Sequence, residues 1–284
     1  MRQVHNNVAI LIIFFNKLSQ TIECIDSFLP SGQNIYVLNN ASEPSTWQLL
    51  KQQYGKNKNV QFFHSSQNIG PARGRNMLLE KCKEEWIFLV DNDICIKPAQ
   101  NWKNLFDERL EAEKEAKIFC PRLFNVHEDS YTKSHVFSRT KDIIRMEETE
   151  EEVSNYFPCC AVIIHRTIFD SYGNFDDQLF AFEDYEFSIR ALCSPQGAFK
   201  VYPLTEIELI HDHRFQQKQT DKQAVLERYN EEKIQASMQR IMDKHVITFD
   251  HDWKWWTRKQ VSDMTQNPFL AKIKQRISGL LKKI

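Results

Sequence analysis

Residues 86–93 read Trp86-Ile87-Phe88-Leu89-Val90-Asp91-Asn92-Asp93, five apolar residues running without a break into Asp-Asn-Asp. A continuous apolar run this short fits a strand covered on both faces, as in parallel sheets. Three earlier runs repeat the pattern, at residues 8–15, 34–38 and 60–64. Between them lie stretches of helical period, at 19–28, 46–54 and 71–82. Ser19 and Glu23 are N-terminal signals for the first of these helices, Ser45 is the candidate cap of the second, and Pro71 suits the first turn of the third. The order strand, helix, strand, helix, strand, helix, strand predicts an α/β protein. Its central sheet is expected to be mainly parallel, with right-handed crossovers and flanking helices.

In such sheets ligands bind beyond the carboxyl ends of the strands. The four ends here are Phe15-Asn16-Lys17, Asn39-Asn40-Ala41-Ser42, Asn68-Ile69-Gly70-Pro71 and Asp91-Asn92-Asp93, all polar and able to converge on one crevice. In an extended chain, residues two apart share a side, which would let Asp91 and Asp93 face one ligand. Two hard oxygen donors there suit Mg²⁺ or Mn²⁺ holding a diphosphate.

Composition narrows the classes further. The 284 residues are 42% hydrophobic and 26% charged, which excludes a disordered chain, collagen or a coiled-coil rod. Seven glycines leave little material for glycine-run phosphate loops. The net charge of −1 hides an asymmetry. From Met264 onward there are five basic residues and no acidic one, so the body carries −6 and the tail +5. A body of that charge excludes nucleic acid as the main partner. Seven cysteines, an odd number with no CxxC spacing, read as reduced thiols in a cytoplasmic protein and not as a disulfide framework or zinc site. The run at 8–15 is too short for a membrane span, which takes ~20 residues.

The second half is less regular. Residues 117–120 and 159–165 read as strands, and 183–193 and 221–244 as helices. Between the strands, 127–153 is polar and ends in an acidic stretch at 147–152, the pattern of a solvated surface excursion.

Five segments, in order over residues 8–214, resemble glycosyltransferase family 2. Ile12-Ile13-Phe14-Phe15-Asn16 resembles its opening strand, and Val37-Leu38-Asn39-Asn40-Ala41-Ser42 its second strand and turn. Asn68-Ile69-Gly70-Pro71-Ala72-Arg73-Gly74-Arg75-Asn76 resembles its Asn-x-Gly…Arg-Asn segment. Asp91-Asn92-Asp93 resembles its metal-binding DxD motif, and residues 169–190 its acceptor segment with a Glu-Asp pair.

The resemblance implies the GT-A fold and inverting transfer of a sugar from a nucleotide-sugar donor to a hydroxyl of a glycan or lipid-linked acceptor. It implies Asp184 as the base and Glu183 as an acceptor contact. At the start of a helix, the dipole is expected to keep Asp184 ionised. It implies Asp93 as a ligand of Mn²⁺ or Mg²⁺, with Asp91 contacting ribose or supporting the metal. A late histidine, His211 or His213, is the further ligand. Phe15 is a candidate for stacking on the base, and Arg73 or Arg75 for meeting a phosphate. Asn39 stands where the family usually has aspartate, so the base is open among UDP, GDP, dTDP and CMP donors. Cys159-Cys160-Ala161 lies where the family often has small residues beside the acceptor.

Residues 1–214 are thus expected to form the transferase domain and 215–284 a helical extension. Within the extension, 221–244 is a packing or oligomer element. Trp253, Trp255 and Trp256 precede a stretch at 269–284 whose apolar residues recur at helical spacing between lysines. This pattern fits either an interfacial helix on an anionic cytoplasmic membrane face or a helix folded back on the domain. The setting implied is surface polysaccharide or lipopolysaccharide synthesis. The rival readings are a nucleotidyltransferase, which would want a glycine- and lysine-rich first loop, and a non-catalytic sugar- or nucleotide-binding scaffold.

Overall fold

A computed structural model of the chain describes residues 7–126, 128–150, 153–212, 230–255 and 258. The expected alternation opens the fold: β1 (Val8–Phe14), α1 (Leu18–Phe28), β2 (Asn34–Asn40), α2 (Pro44–Tyr54), β3 (Val60–Ser65), α3 (Gly70–Lys81) and β4 (Trp86–Asp91). There follow β5 (Ile94–Ile96), α4 (Trp102–Ala112), β6 (Ile118–Asn125), β7 (Ser130–Tyr131), β8 (His135–Thr140), β9 (Ile143–Glu148) and β10 (Ala161–His165). The described chain closes with α5 (Thr167–Tyr172), α6 (Glu183–Cys193), β11 (Tyr202–His211), α7 (Glu231–His245) and β12 (Thr248–Phe249).

The main sheet has the order β3-β2-β1-β4-β10-β6-β11-β5, with β7 added beside β6. β3, β2, β1 and β4 are parallel, as the helical crossovers require. β10 runs antiparallel to both β4 and β6. The sheet is therefore parallel in its first half and mixed in its second.

Side chains alternate between two covered faces. Ile10, Ile12 and Phe14 meet Ile25 and Phe28 of α1, Leu50 of α2 and Phe106 of α4. Ala9 and Leu11 point the other way, toward Leu78 of α3, Phe169 of α5 and Phe187 of α6. Phe28 lies edge-on to Phe88, with ring centres 5.3 Å apart. Burying one such ring contributes ~1.5–3 kcal/mol. Gly74 fixes how closely α3 approaches the sheet. A Cβ there would lie 2.8 Å from Ile13 Cδ1, and this close contact brings the neighbouring Arg75 over the strand ends.

The helix starts differ from the sequence expectation. α1 begins after Lys17, which is left-handed (φ 52°) and offers no side-chain cap, so Ser19 and Glu23 do not start it. α2 begins after Glu43 with Pro44 in its first turn, which leaves Ser45 inside the helix. Proline's fixed φ sets the entry there without a capping hydroxyl.

The excursion at 127–153 is not merely solvated. Its described residues include the β8–β9 hairpin, which joins β12 in a three-stranded sheet of order β12-β9-β8. Phe137 and Ile144 are buried with Ile189 of α6 and Met238 and Ile241 of α7. Glu147 and Glu148 lie on the exposed outer part of β9.

Of the helix expected over 221–244, the described residues form α7 (Glu231–His245), capped by Asn230 Oδ1, which accepts from Lys233 N. Its apolar face is consumed by the chain's own core, not presented to a second copy. Two acids tie it down. Asp176 accepts from Arg240 Nε and Nη2, each at 3.1 Å, and from Lys244 Nζ at 2.8 Å. Buried Glu186 pairs with Lys244 at 2.9 Å and with His245 Nε2 at 3.0 Å. Residues 221–229 and the basic stretch at 269–284 lie outside the described residues.

Candidate active site

The carboxyl ends of β1, β2 and β4 and the first turn of α6 bring the titratable groups together. Arg75 is at the centre, with its side chain 7% exposed. Its Nη2 donates to Asp91 Oδ1 at 3.0 Å and to the Cys159 carbonyl at 3.3 Å, and its Nη1 donates to Glu183 Oε1. Burial works against its charge, but the Glu183 and Asp91 carboxylates outweigh this and hold it firmly protonated. Arg75 thus joins a carboxylate of the β4 end to one of the α6 start. Both of its terminal nitrogens are engaged by groups of the chain. Arg73 is half-exposed, and its Nε donates to the Asp177 carbonyl at 3.0 Å.

α6 starts abruptly. Phe182 is left-handed (φ 64°) and has no side-chain cap, so Glu183 and Asp184 open the helix directly. Glu183 is buried against Arg75. Asp184 is partly buried. Its Oδ2 accepts from the Tyr156 hydroxyl at 3.0 Å, and its Oδ1 accepts from Tyr185 N at 2.9 Å. Burial and the neighbouring Glu183 carboxylate push Asp184 up to about 6, against both hydrogen bonds and the charge of Arg75. Desolvation and Glu183 thus outweigh the helix dipole, and a carboxyl at about 6 is still mostly ionised at neutral pH. Tyr156 also lines a shallow cleft with His135, Ser154, Pro158 and Pro203.

Asp91 and Asp93 do not share a side as an extended chain would make them. The chain turns at Asn92, so Asp91 faces Arg75 while Asp93 faces Lys17 and His211. Asp93 is 1% exposed. Its Oδ2 accepts from Lys17 Nζ at 2.7 Å, and its Oδ1 lies 3.3 Å from His211 Nε2. β11 delivers His211, and Asp212 N donates to the Asp93 carbonyl at 3.0 Å. Asn125 Nδ2 donates to Thr132 Oγ1, which turns its Oδ1 to His211 Nδ1 at 3.2 Å. The His211 proton toward Asn125 therefore sits on Nδ1, and Nε2 faces Asp93 Oδ1. Two electron-pair donors at that spacing are where two adjacent ligands of one divalent cation would stand, with the outer hydrogen bond usual for a metal-binding histidine. The pair fits Mn²⁺ or Mg²⁺. Among the described residues no cluster of three or more His, Cys, Asp or Glu gathers. His213 lies outside the described residues.

On the far side of the crevice, Asn39 is buried and both ends of its amide are engaged. Oδ1 accepts from Ser42 N at 2.9 Å, and Nδ2 lies 3.0 Å from His64 Nδ1. The amide therefore does not offer a free donor–acceptor edge. With Asn39 donating, His64 carries its proton on Nε2 and presents that N–H outward, with its ring stacked on Trp47 at 6.4 Å and 16°. Phe15 is half-buried at the end of β1. Lys17, His64 and Tyr156 were not singled out by sequence. Only Lys17 left a signal there, as part of the polar end of β1. All seven cysteines are free thiols.

Comparison with known proteins places this arrangement. The glycosyl transferase family 2 model matches residues 9–173. An uncharacterised protein of Haemophilus influenzae is 28% identical over 94 residues, which cover 31% of this chain and 51% of that protein. The chain thus spans about half the length of the curated relative it matches. Among solved structures, GalNAc-T7 with UDP, GalNAc and Mn²⁺ aligns at a TM-score of 0.58 and 16% identity, over 93% of this chain and 58% of that one. Residues 1–349 of S. aureus TarS align at 0.57 and 16%, over 92% and 71%. TarS with UDP-GlcNAc aligns at 0.57 and 16%, over 84% and 73%. At these identities the structural likeness shows the GT-A fold. The family match covers more than half of the sequence, and the chain belongs to glycosyltransferase family 2.

Proposed function

We propose that the chain is an inverting, divalent-cation-dependent glycosyltransferase that uses a UDP-sugar. The observation that carries this is Asp184, a carboxylate held by Tyr156 and the Tyr185 N–H with its pKa brought near neutrality. A general base needs such a value, close to the working pH. Asp184 takes the proton of an acceptor hydroxyl. The freed oxygen attacks the anomeric carbon while the bond from that carbon to the diphosphate oxygen breaks on the opposite face, which inverts the centre. Glu183, fixed by Arg75, contacts acceptor hydroxyls.

Asp93 and His211 are the residues that would hold Mn²⁺ or Mg²⁺, with Asp91 at the ribose side. When bound, the ion offsets the charge of the leaving diphosphate. Phe15 flanks the base, and the His64 N–H beside Asn39 donates to a carbonyl of uracil. The UDP complexes of similarly folded proteins support that choice. The acceptor is a glycan or lipid-linked saccharide of a surface polysaccharide or lipopolysaccharide, received in the cleft beside Tyr156. Among the described residues no helix is long and apolar enough to cross a membrane. The basic stretch at 269–284 is the proposed contact with the cytoplasmic membrane face.

The test is calorimetric titration with UDP, GDP, dTDP and CMP, each with Mn²⁺, followed by turnover of UDP-sugars by wild type and Asp184→Asn. UDP binds best, and Asp184→Asn keeps that binding while turnover falls by roughly 10²–10⁴-fold. Equal turnover in Asp184→Asn, or binding of none of the nucleotides, overturns the proposal.

A further inference from the structure

Asp93 turns its two oxygens to different partners, Oδ2 to Lys17 Nζ at 2.7 Å and Oδ1 to His211 Nε2 at 3.3 Å. Lys17 is enclosed with it, its side chain 13% exposed. The backbone that holds this ammonium is unusual. Asn16 (φ 56°) and Lys17 (φ 52°) are consecutive left-handed residues, a region that non-glycine residues enter rarely and singly. Hydrogen bonds from three directions over-determine it. Asn16 N donates to Ser42 Oγ at 2.9 Å, and Asn16 Oδ1 accepts from Glu43 N at 3.0 Å. Thr21 Oγ1 donates to the Lys17 carbonyl at 3.0 Å and itself accepts from Asn92 Nδ2 at 2.8 Å. Asn92 is the middle residue of the Asp-Asn-Asp turn. The turn that carries Asp93 therefore also fixes the backbone of Lys17.

The same matching occurs at the other aspartate of the turn, where Arg75 faces Asp91 at 3.0 Å. Each carboxylate of the turn thus faces a fixed cation of the chain, Arg75 being shared with Glu183. We propose that Lys17 is the resident cation of the donor site. It clamps Asp93 Oδ2, leaves Oδ1 turned to His211, and cancels the charge of Asp93. An Asp93–Lys17 pair carries no net charge toward a divalent ion. The missing negative charge comes with the diphosphate, so the site holds the free ion weakly and takes it up together with the nucleotide. The inference rests on the glycosyltransferase reading above.

Mn²⁺ binding, followed by electron paramagnetic resonance with and without UDP, tests it on wild type, Lys17→Met, Lys17→Gln and Lys17→Arg of the full chain. Wild type binds Mn²⁺ alone roughly tenfold or more weakly than with UDP present. Lys17→Met and Lys17→Gln bind Mn²⁺ alone roughly tenfold more tightly than wild type, because a like charge has been removed from beside the site. Lys17→Arg, which keeps the charge, stays at the wild-type value. An unchanged or weaker Mn²⁺ affinity in both neutral variants, or Mn²⁺ binding in none of the proteins, overturns the inference. UDP binding measured without metal separates the two readings. A chain that binds UDP but whose Mn²⁺ affinity ignores Lys17 overturns this inference alone, whereas one that binds no nucleotide overturns the transferase reading.

Discussion

The Tyr156 hydroxyl donates to Asp184 Oδ2 at 3.0 Å. Tyr156 is itself held between the rings of Phe137 and Tyr185, so the β8–β9 hairpin reaches the proposed base, Asp184, through one side chain. Burial and Glu183 raise Asp184 to about 6, and a carboxyl in the proposed role of base works only when ionised. The kcat/KM of the transfer should rise about tenfold per pH unit below 6 and level off above it. A hydrogen bond to the charged form lowers a carboxyl pKa. Tyr156→Phe removes one, so the limb moves to higher pH. A pH–rate profile checks both statements. A flat profile between pH 5 and 7, or a limb that moves down in Tyr156→Phe, contradicts them.

Arg75 lies between Asp91 and Glu183, both mostly enclosed. Removing the cation leaves two carboxylates facing each other without compensation. Breaking a buried pair of this kind costs about 3–5 kcal/mol. Arg75→Ala should therefore lose stability of that order in urea unfolding at pH 7. Arg75→Lys keeps the charge but cannot span both acids, since an ammonium lacks the planar fork. It should recover part of the stability and little of the turnover. Full turnover in Arg75→Lys would show that the bridge is not needed to align the two sides.

Much of this site was legible in the sequence because it sits where short apolar runs stop. The β4 run announces Asp91 and Asp93, and the α6 pattern announces Glu183 and Asp184. The pairing was less legible. Arg75 looks like one of two arginines on a helix, and only the close packing allowed by Gly74 buries it at the centre. Asp91 and Asp93 part company because Asn92 turns the chain, which alternation in an extended strand does not foresee. The β8–β9 hairpin hid among charges. Its core is little more than Phe137 and Ile144, too few apolar positions to outweigh the acidic run beside them. His64 sits at an exposed end of β3 and gains meaning only from Asn39 across the register.

That Asn39–His64 pair makes a prediction about the base. Asn39 fixes His64 with its N–H outward, and Trp47 lies parallel beneath the imidazole. His64→Ala removes the donor and leaves Asn39 bonded to Ser42 N. UDP affinity should fall by about 1 kcal/mol, or roughly five- to tenfold, the worth of one hydrogen bond. The fall should be absent for the affinity of inorganic diphosphate, which lacks the base. Calorimetry with both ligands checks this, and an equal loss for the two would place His64 near the phosphates instead.

The last prediction concerns how α7 is held, and its sign follows from Asp176. Burial alone would raise this carboxyl, but Lys244 and Arg240 outweigh it and hold it at about 2, below its ordinary 3.8. A carboxyl depressed in the folded state adds stability above its unfolded value and loses it as pH falls through the folded one. The full contribution is therefore present above pH 4 and gone below about pH 2. Asp176 is enclosed, but Arg240 and Lys244 are 43% and 35% exposed, so solvent screening reduces the effect. Asp176→Asn should cost about 1–2 kcal/mol at pH 7. The difference from wild type should shrink between pH 4 and pH 2. Because α7 buries Met238 and Ile241 on the hairpin and α6, the loss should also loosen the layer that carries Tyr156. Urea unfolding of the two proteins from pH 2 to pH 7 measures the difference directly. A deficit that stays constant down to pH 2 would mean that Asp176 acts through packing or neutral hydrogen bonds, and not through its charge.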